Sequence, residues 1–421
     1  MDHFFDAPAF SLASKQFKLI ADYLDISPSM REPLFWPKRC IAVSLPVKMD
    51  DGSIANFEGY RVQHHLAMGP TKGGIRFTPT LTMGEVAALA IWMSWKCALA
   101  GLPYGGATGG VRVDPGQLSV AELERLSRRF MQEMIPFVGP RSDIMGPDMG
   151  TDERVMAWLM DTYSAYLGYS EPGIVTGKPV SIGGTTGRRE ATGMGVVYLI
   201  ERAADLIKLR LAGGSAVVQG FGNVGSVVAH GLAYRNGMKI IGIGDTSGTY
   251  FDKTGIDIWR AQSHVLENGD LRNFEGAERI SANTLLTLPC DVLVPAAVGG
   301  VINRQNAAKL QCRILAEAAN GPTTTEGDRI LFERWNEIFV IPDILCNAGG
   351  VVVSYFEWVQ GLQSFFWTRS EIVDRLFRTM EQAFVAVTRR AKQQKIPHRI
   401  SALAIAVERV MKARQEFGLF P

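Results

Sequence analysis

Two lysines on separate stretches of chain set out the first chemistry. Lys72 sits in Gly69–Arg76 (GPTKGGIR), a glycine-rich loop that can bring backbone close to a bound group. Lys96 follows Trp92, Met93 and Trp95, where an unpaired ammonium is costly. A small molecule with two carboxylates satisfies both cations. Asp148, in Gly146–Asp152 (GPDMGTD), places a carboxylate in a loop ahead of a helix start. Such a group either moves a proton or caps the helix, and Asp152 already has the position of a cap.

A second set of residues points to a nucleotide. Gly220, Phe221, Gly222, Asn223, Val224 and Gly225 spell GxGxxG between the apolar run Ser215–Gln219 and a helical stretch. The next apolar run ends at Asp245, 20 residues beyond Gly225. That context is the dinucleotide fingerprint. Its glycines admit a pyrophosphate, and the helix N-terminus supplies partial positive charge. Asp245 is placed to accept from a ribose 2′-hydroxyl and to repel a 2′-phosphate. NAD is therefore the expected cofactor, with NADP possible because Thr246 and Ser247 can tolerate a phosphate.

The elements that must position these groups fall into two textures. In the first, helical spacing over 11–24 is followed by a strand at 42–47, a hairpin signal at Asp50-Asp51-Gly52 and a returning strand at 57–65. A helix over about 83–99 carries Lys96. Ser119 and Glu122 form a capping box for a helix over 118–137, and Thr151 or Asp152 caps another through Tyr166. The second texture follows the small-residue crossing Ser181–Gly187. Short apolar runs at 215–219, 239–243, 290–296, 312–316 and 339–341 alternate with helical stretches, one of them over 224–234. Helical periodicity returns from Val353 and from Glu371. The expectation is an α/β protein of two domains with an intervening cleft, the C-terminal one a doubly wound, Rossmann-like sheet. The expected domains are 1–186 with the C-terminal helix 396–421, for substrate and oligomer contacts, and 187–395 for the dinucleotide.

Composition excludes several partners. In 421 residues, 44 basic side chains face 42 acidic ones, which gives no electrostatic case for nucleic acid or an anionic membrane. No apolar run is long enough to span a bilayer. Five scattered cysteines without a CxxC pair, and an N-terminus without a leader pattern, suggest reduced, buried thiols in a cytoplasmic protein. The six histidines lack metal-ligand spacing, so no metal is expected.

Taken together, Gly69–Arg76, Trp95-Lys96-Cys97, Pro103–Gly110 (PYGGATGG) and Gly146–Asp152 resemble the glutamate/leucine/phenylalanine/valine dehydrogenase family, and within it the glutamate dehydrogenases. Further blocks in family order extend the resemblance over nearly the whole chain. It implies that Lys72 pairs with the distal carboxylate of glutamate and Lys96 with the α-carboxylate. Ser354, in NAGGVVVS, helps bind the distal group, and Asn347 lies near the α-carbon. Asp148 relays protons during imine formation. Thr192, in ATG, and Asn320, in EAANGPT, lie at the nicotinamide. The implied reaction is reversible oxidative deamination of L-glutamate to 2-oxoglutarate and ammonia, in a homohexamer.

One position departs from the pattern. The family usually reads GGAKGG, and its lysine is the catalytic base; this chain has Thr108 there. A threonine hydroxyl is neutral at pH 7 and carries no charge to place on an oxyanion. Three outcomes stay open on the sequence. They are a slow glutamate dehydrogenase, a weak or inactive pseudoenzyme that binds NAD and glutamate or 2-oxoglutarate as a sensor or partner subunit, and a dehydrogenase for a related amino acid.

Overall fold

The computed structural model describes residues 5–418. These divide into two compact units. Unit 1 holds 5–188, 351–372 and 403–418; unit 2 holds 189–350 and 373–402. The stretch 351–372, expected from sequence in the nucleotide domain, thus lies in unit 1.

Unit 1 is built on a five-stranded sheet of β1 (Arg39–Lys48), β2 (Ile54–Gln63), β3 (Thr71–Phe77), β4 (Gly105–Arg112) and β5 (Asp143–Pro147), in the order β1-β2-β4-β3-β5. Gly52, at φ +85°, makes the tight β1–β2 turn that only glycine adopts without strain. The Gly69–Arg76 segment, read from sequence as a loop, forms most of β3. Strand alternation sorts its side chains. Ile75 and Phe77 join Val111 and Met145 in a core with the helices Val120–Met134 and Glu153–Leu167. The first helix starts at the Ser119/Glu122 capping box, and Asp152 caps the second through Arg154 N and Val155 N.

The opposite face takes the helix Met83–Leu99, which is buried almost all round. A Cβ on Gly106 would lie 2.3 Å from Ser94 N, so glycine is what lets β4 touch this helix. Beyond the sheet, the helix Gly349–Gln363 is tied down by Glu357. Its Oε1 pairs with Lys178 Nζ at 2.7 Å, both side chains fully buried, and its Oε2 accepts from Gly177 N. Glu357→Gln removes the counter-charge of a buried ammonium, and the expected loss is about 3–5 kcal/mol. Urea unfolding at fixed protein concentration measures it; an unchanged midpoint contradicts it.

Unit 2 carries a seven-stranded sheet of β6 (Ser215–Gln219), β7 (Lys239–Gly244), β8 (Thr249–Phe251), β9 (Glu278–Arg279), β10 (Val292–Pro295), β11 (Ile314–Ala316) and β12 (Phe339–Ile341). Its order is β12-β11-β10-β6-β7-β8-β9, parallel from β12 to β7 and antiparallel thereafter. Strand order reverses beside β6, which creates a topological switch point at its C-terminal end. The helix expected after it is α-helical only over Gly225–His230, then widens to a π-helix over Gly231–Arg235. Among the described residues no helix is long and apolar enough to cross a membrane. Four cysteines are buried, but Cys40, on the edge strand β1, is exposed rather than buried as expected.

Candidate active site

In unit 1, one face of the sheet gathers the charged groups. Lys72 is in register with Gly106, and Gly74 with Gly146, so Lys72, Thr108 and Asp148 all point toward the side of the helix Met83–Leu99. Lys72 is 3% exposed, and its Nζ donates to Met145 O at 3.2 Å. A Cβ on Gly146 would fall 2.5 Å from that ammonium, so the glycine leaves room for it. Lys96 is buried on the helix. The Cys97 thiol, pushed up to about 12 by burial, feels the charges of both lysines, which places the two cations around one spot.

Two residues join this group that sequence reasoning missed. Arg188 donates from Nε to Ser354 Oγ at 3.0 Å, and its charge acts on Lys72. Thr176 Oγ1 lies 3.2 Å from the same point beside Gly146 that Lys72 approaches. Neither has a local signature; only the fold brings them to Lys72. Burial first, then Arg188 and Arg61, pull the Lys72 ammonium down to about 7. Arg76 stands further along β3 than Lys72. It bridges Asp148 at 3.2 Å and Glu85 at 2.7 Å, and so anchors the Asp148 carboxylate. Asp148 Oδ1 also accepts from Met149 N at 2.8 Å.

Thr108 is 2% exposed, and its hydroxyl donates to Ala107 O at 2.7 Å. The side chain therefore spends its one proton on the neighbouring carbonyl.

In unit 2 the fingerprint glycines meet the conditions of a phosphate cradle. Gly220 has φ +96°, and a Cβ on Gly225 would lie 1.7 Å from Gly220 O. A Cβ on Gly222 would meet nothing within 4 Å, so its backbone faces open space. Asn223 and Val224 lead into the helix at the end of β6, the switch point. Asp245 follows β7 in a turn of its own. Its Oδ1 accepts from Ser247 N, Ser247 Oγ and Gly248 N, and its Oδ2 from Leu271 N. Burial works to raise this carboxyl, but those bonds outweigh it and hold it below the usual range. It is an anion at neutral pH.

Three further residues of unit 2 converge. Asn347 Nδ2 donates to Ala318 O, Ala319 O and Asn320 Oδ1 at 3.1–3.2 Å. A Cβ on Gly349 would lie 3.3 Å from Thr192 Cα, so the NAGG turn rests on the start of the helix Ala191–Leu206. The Oδ1 of Asn347 is buried without a partner. A buried acceptor left unpaired in this way fits a bound donor.

Comparison with known proteins decides the family. The model for Glutamate/Leucine/Phenylalanine/Valine dehydrogenase matches residues 183–418, and that for the Glu/Leu/Phe/Val dehydrogenase dimerisation domain matches 37–165. The chain belongs to the Glu/Leu/Phe/Val dehydrogenase family. Glutamate dehydrogenase of Thermotoga maritima is 45% identical over 412 residues, covering 98% of this chain and 99% of its own. NAD-specific glutamate dehydrogenase of Staphylococcus aureus is 45% identical over 383 residues, 91% of each chain. Among solved structures, the hetero-hexameric glutamate dehydrogenase of Thermus thermophilus in its Leu-bound form has a TM-score of 0.94 at 39% identity, covering 99% and 98% of the two chains. As a family member, this dehydrogenase is an oxidoreductase fold complete in both units, with a neutral residue at position 108.

Proposed function

We propose that the chain catalyses NAD-linked, reversible deamination of L-glutamate to 2-oxoglutarate and ammonia, with proton transfer limited by Thr108. The observation that carries this reading is the cationic group Lys72, Arg188 and Ser354. Two cations and a hydroxyl, with Lys72 and Ser354 buried and Arg188 half-buried, suit a second carboxylate and would penalise the apolar side chains of leucine, valine or phenylalanine. The comparisons lend no support to a binding-only protein.

Each residue then has a task. Lys96 holds the α-carboxylate and Lys72 the distal one, with Ser354 oriented by Arg188. Asp148, fixed by Arg76, moves a proton between the amino nitrogen and water. The orphan Oδ1 of Asn347 is an acceptor open to a bound donor. Gly220, Gly222, Asn223, Val224 and Gly225 hold the pyrophosphate of a nicotinamide cofactor, with Thr192 and Asn320 at its ring. When bound, that cofactor supplies the acceptor for hydride from the α-carbon. The negative charge kept on Asp245 favours NAD over NADP. Fluorescence titration is expected to give a lower Kd for NADH than for NADPH, and the reverse order contradicts that assignment.

Two experiments test the rest. Rates of NADH oxidation with ammonia and either 2-oxoglutarate, 4-methyl-2-oxopentanoate or phenylpyruvate are expected to favour 2-oxoglutarate; preference for an apolar oxo acid overturns the reading. For assembly, the dimerisation-domain match and the hexameric neighbour support a homohexamer. The hetero-hexameric make-up of that neighbour, taken with Thr108, favours a mixed hexamer with a lysine-bearing copy as the second arrangement. The mass of the purified chain alone separates the two.

A further inference from the structure

Unit 2 contains a buried charge cluster with no place in the chemistry above. Arg399, in the first turn of the helix His398–Phe417, is 6% exposed and meets three carboxylates from three other elements. Nη2 donates to Glu317 Oε1 at 2.5 Å, Nε to Asp328 Oδ1 at 2.7 Å and Nη1 to Asp343 Oδ1 at 3.2 Å. Glu317 Oε2 and Asp343 Oδ2, the oxygens that Arg399 leaves free, hold backbone. Glu317 accepts from Thr323 Oγ1 and, through Oε2, from Asp343 N at 3.0 Å. Asp343 Oδ2 accepts from Gly321 N at 2.8 Å. The loop 318–322, which carries Asn320, is therefore closed at its base and pinned at Gly321. The short helix Asp343–Cys346, which ends beside Asn347, is pinned at its first residue.

We propose that Arg399 is a positioning residue: through Glu317 and Asp343 it fixes the loop of Asn320 against the helix of Asn347, and thereby sets the affinity of the nicotinamide site. The inference rests on the reading of Asn320 and Asn347 given above. The physical reason is charge balance. Glu317 and Asp343 repel each other in a buried site, and the Arg399 guanidinium is the cation that lets both stay ionised while each holds backbone. A point charge cannot reach all three carboxylates, whereas a planar guanidinium can.

The test uses the full-length protein and NADH as probe. Arg399→Met is expected to raise the NADH Kd by about tenfold to a hundredfold at pH 8, the scale of a small misplacement of contact groups. It also speeds amide exchange at 318–323 in the cofactor-free protein. The rise is expected to shrink as pH is lowered from 8, because burial beside Asp343 favours the protonated form of Glu317, and a neutral Glu317 no longer repels Asp343. His398 does not confuse that window, since burial holds it down to about 4 and its ring faces Val340 O. Arg399→Lys restores part of the affinity, and Asp328→Asn, which leaves the loop contacts intact, changes Kd less than about twofold. A wild-type Kd and wild-type exchange in Arg399→Met would overturn the proposal. So would a loss of affinity that neither acid nor lysine relieves, which marks general damage to the fold. If the unaltered protein fails to bind NADH, the functional reading falls, and exchange at 318–323 still decides the role of Arg399.

Discussion

Thr108→Lys raises turnover with 2-oxoglutarate, ammonia and NADH by about 10²–10⁴-fold, the usual contribution of a positioned acid–base group. Position 108 lies on β4, on the sheet face that carries Lys72 and faces the helix of Lys96. An amine there meets the two conditions that lower a lysine pKa toward neutrality, burial and neighbouring cations. Threonine has no amine for that environment to tune, and its proton is already committed to Ala107 O. From a typical turnover on the order of 10 s⁻¹, the unaltered chain is expected near 10⁻¹ to 10⁻³ s⁻¹, or roughly 3–5 kcal/mol of barrier. Binding of 2-oxoglutarate should barely change, because residue 108 is not one of its carboxylate partners. A lysine variant no faster than the unaltered protein means that another group supplies the base.

The second large effect concerns pH. With the free Lys72 ammonium titrating at about 7, it is mostly neutral at pH 8 and above. A bound carboxylate needs the charged form, so binding takes up a proton. The apparent Kd for 2-oxoglutarate should rise about tenfold per pH unit above that point, as one linked proton requires. Lys72→Met removes the pairing altogether and weakens binding by at least about thirtyfold, the lower end for a truncated buried charge partner. The sign for folding is opposite. The folded-state pKa is depressed, so the unfolded chain binds more protons between about 7 and 10.5. This residue's contribution to stability therefore rises with pH across that window. Calorimetric titration between pH 6.5 and 9 reads the binding slope, and a flat profile contradicts the assignment of Lys72 to a carboxylate.

Much of this was legible because the signals were local. The helix Met83–Leu99 was visible as an apolar run, the start of Val120–Met134 as a capping box, and the nucleotide turn as glycines at fixed spacing. The failures share one cause, contacts between distant parts of the chain. Gly69–Arg76 looks like a loop from its glycines. It is a central strand because β4 and β5 flank it so closely that a Cβ on Gly73 would lie 1.5 Å from Ala107 O. Placing 351–372 with unit 1 depends on Glu357 finding Lys178, 179 residues away. Arg188 sits just past the small-residue crossing with no pattern around it, and Arg399 finds its three acids 82, 71 and 56 residues back. No window of sequence contains those partners together.

The most direct test of the central claim, an intact glutamate site that lacks only its base, is calorimetric titration of 2-oxoglutarate into the unaltered protein at pH 7 with NADH present. Saturable binding is expected, lost in Lys72→Met and retained in Thr108→Lys. No binding by the unaltered protein, or equal binding by Lys72→Met, would show that the site is not built for this substrate.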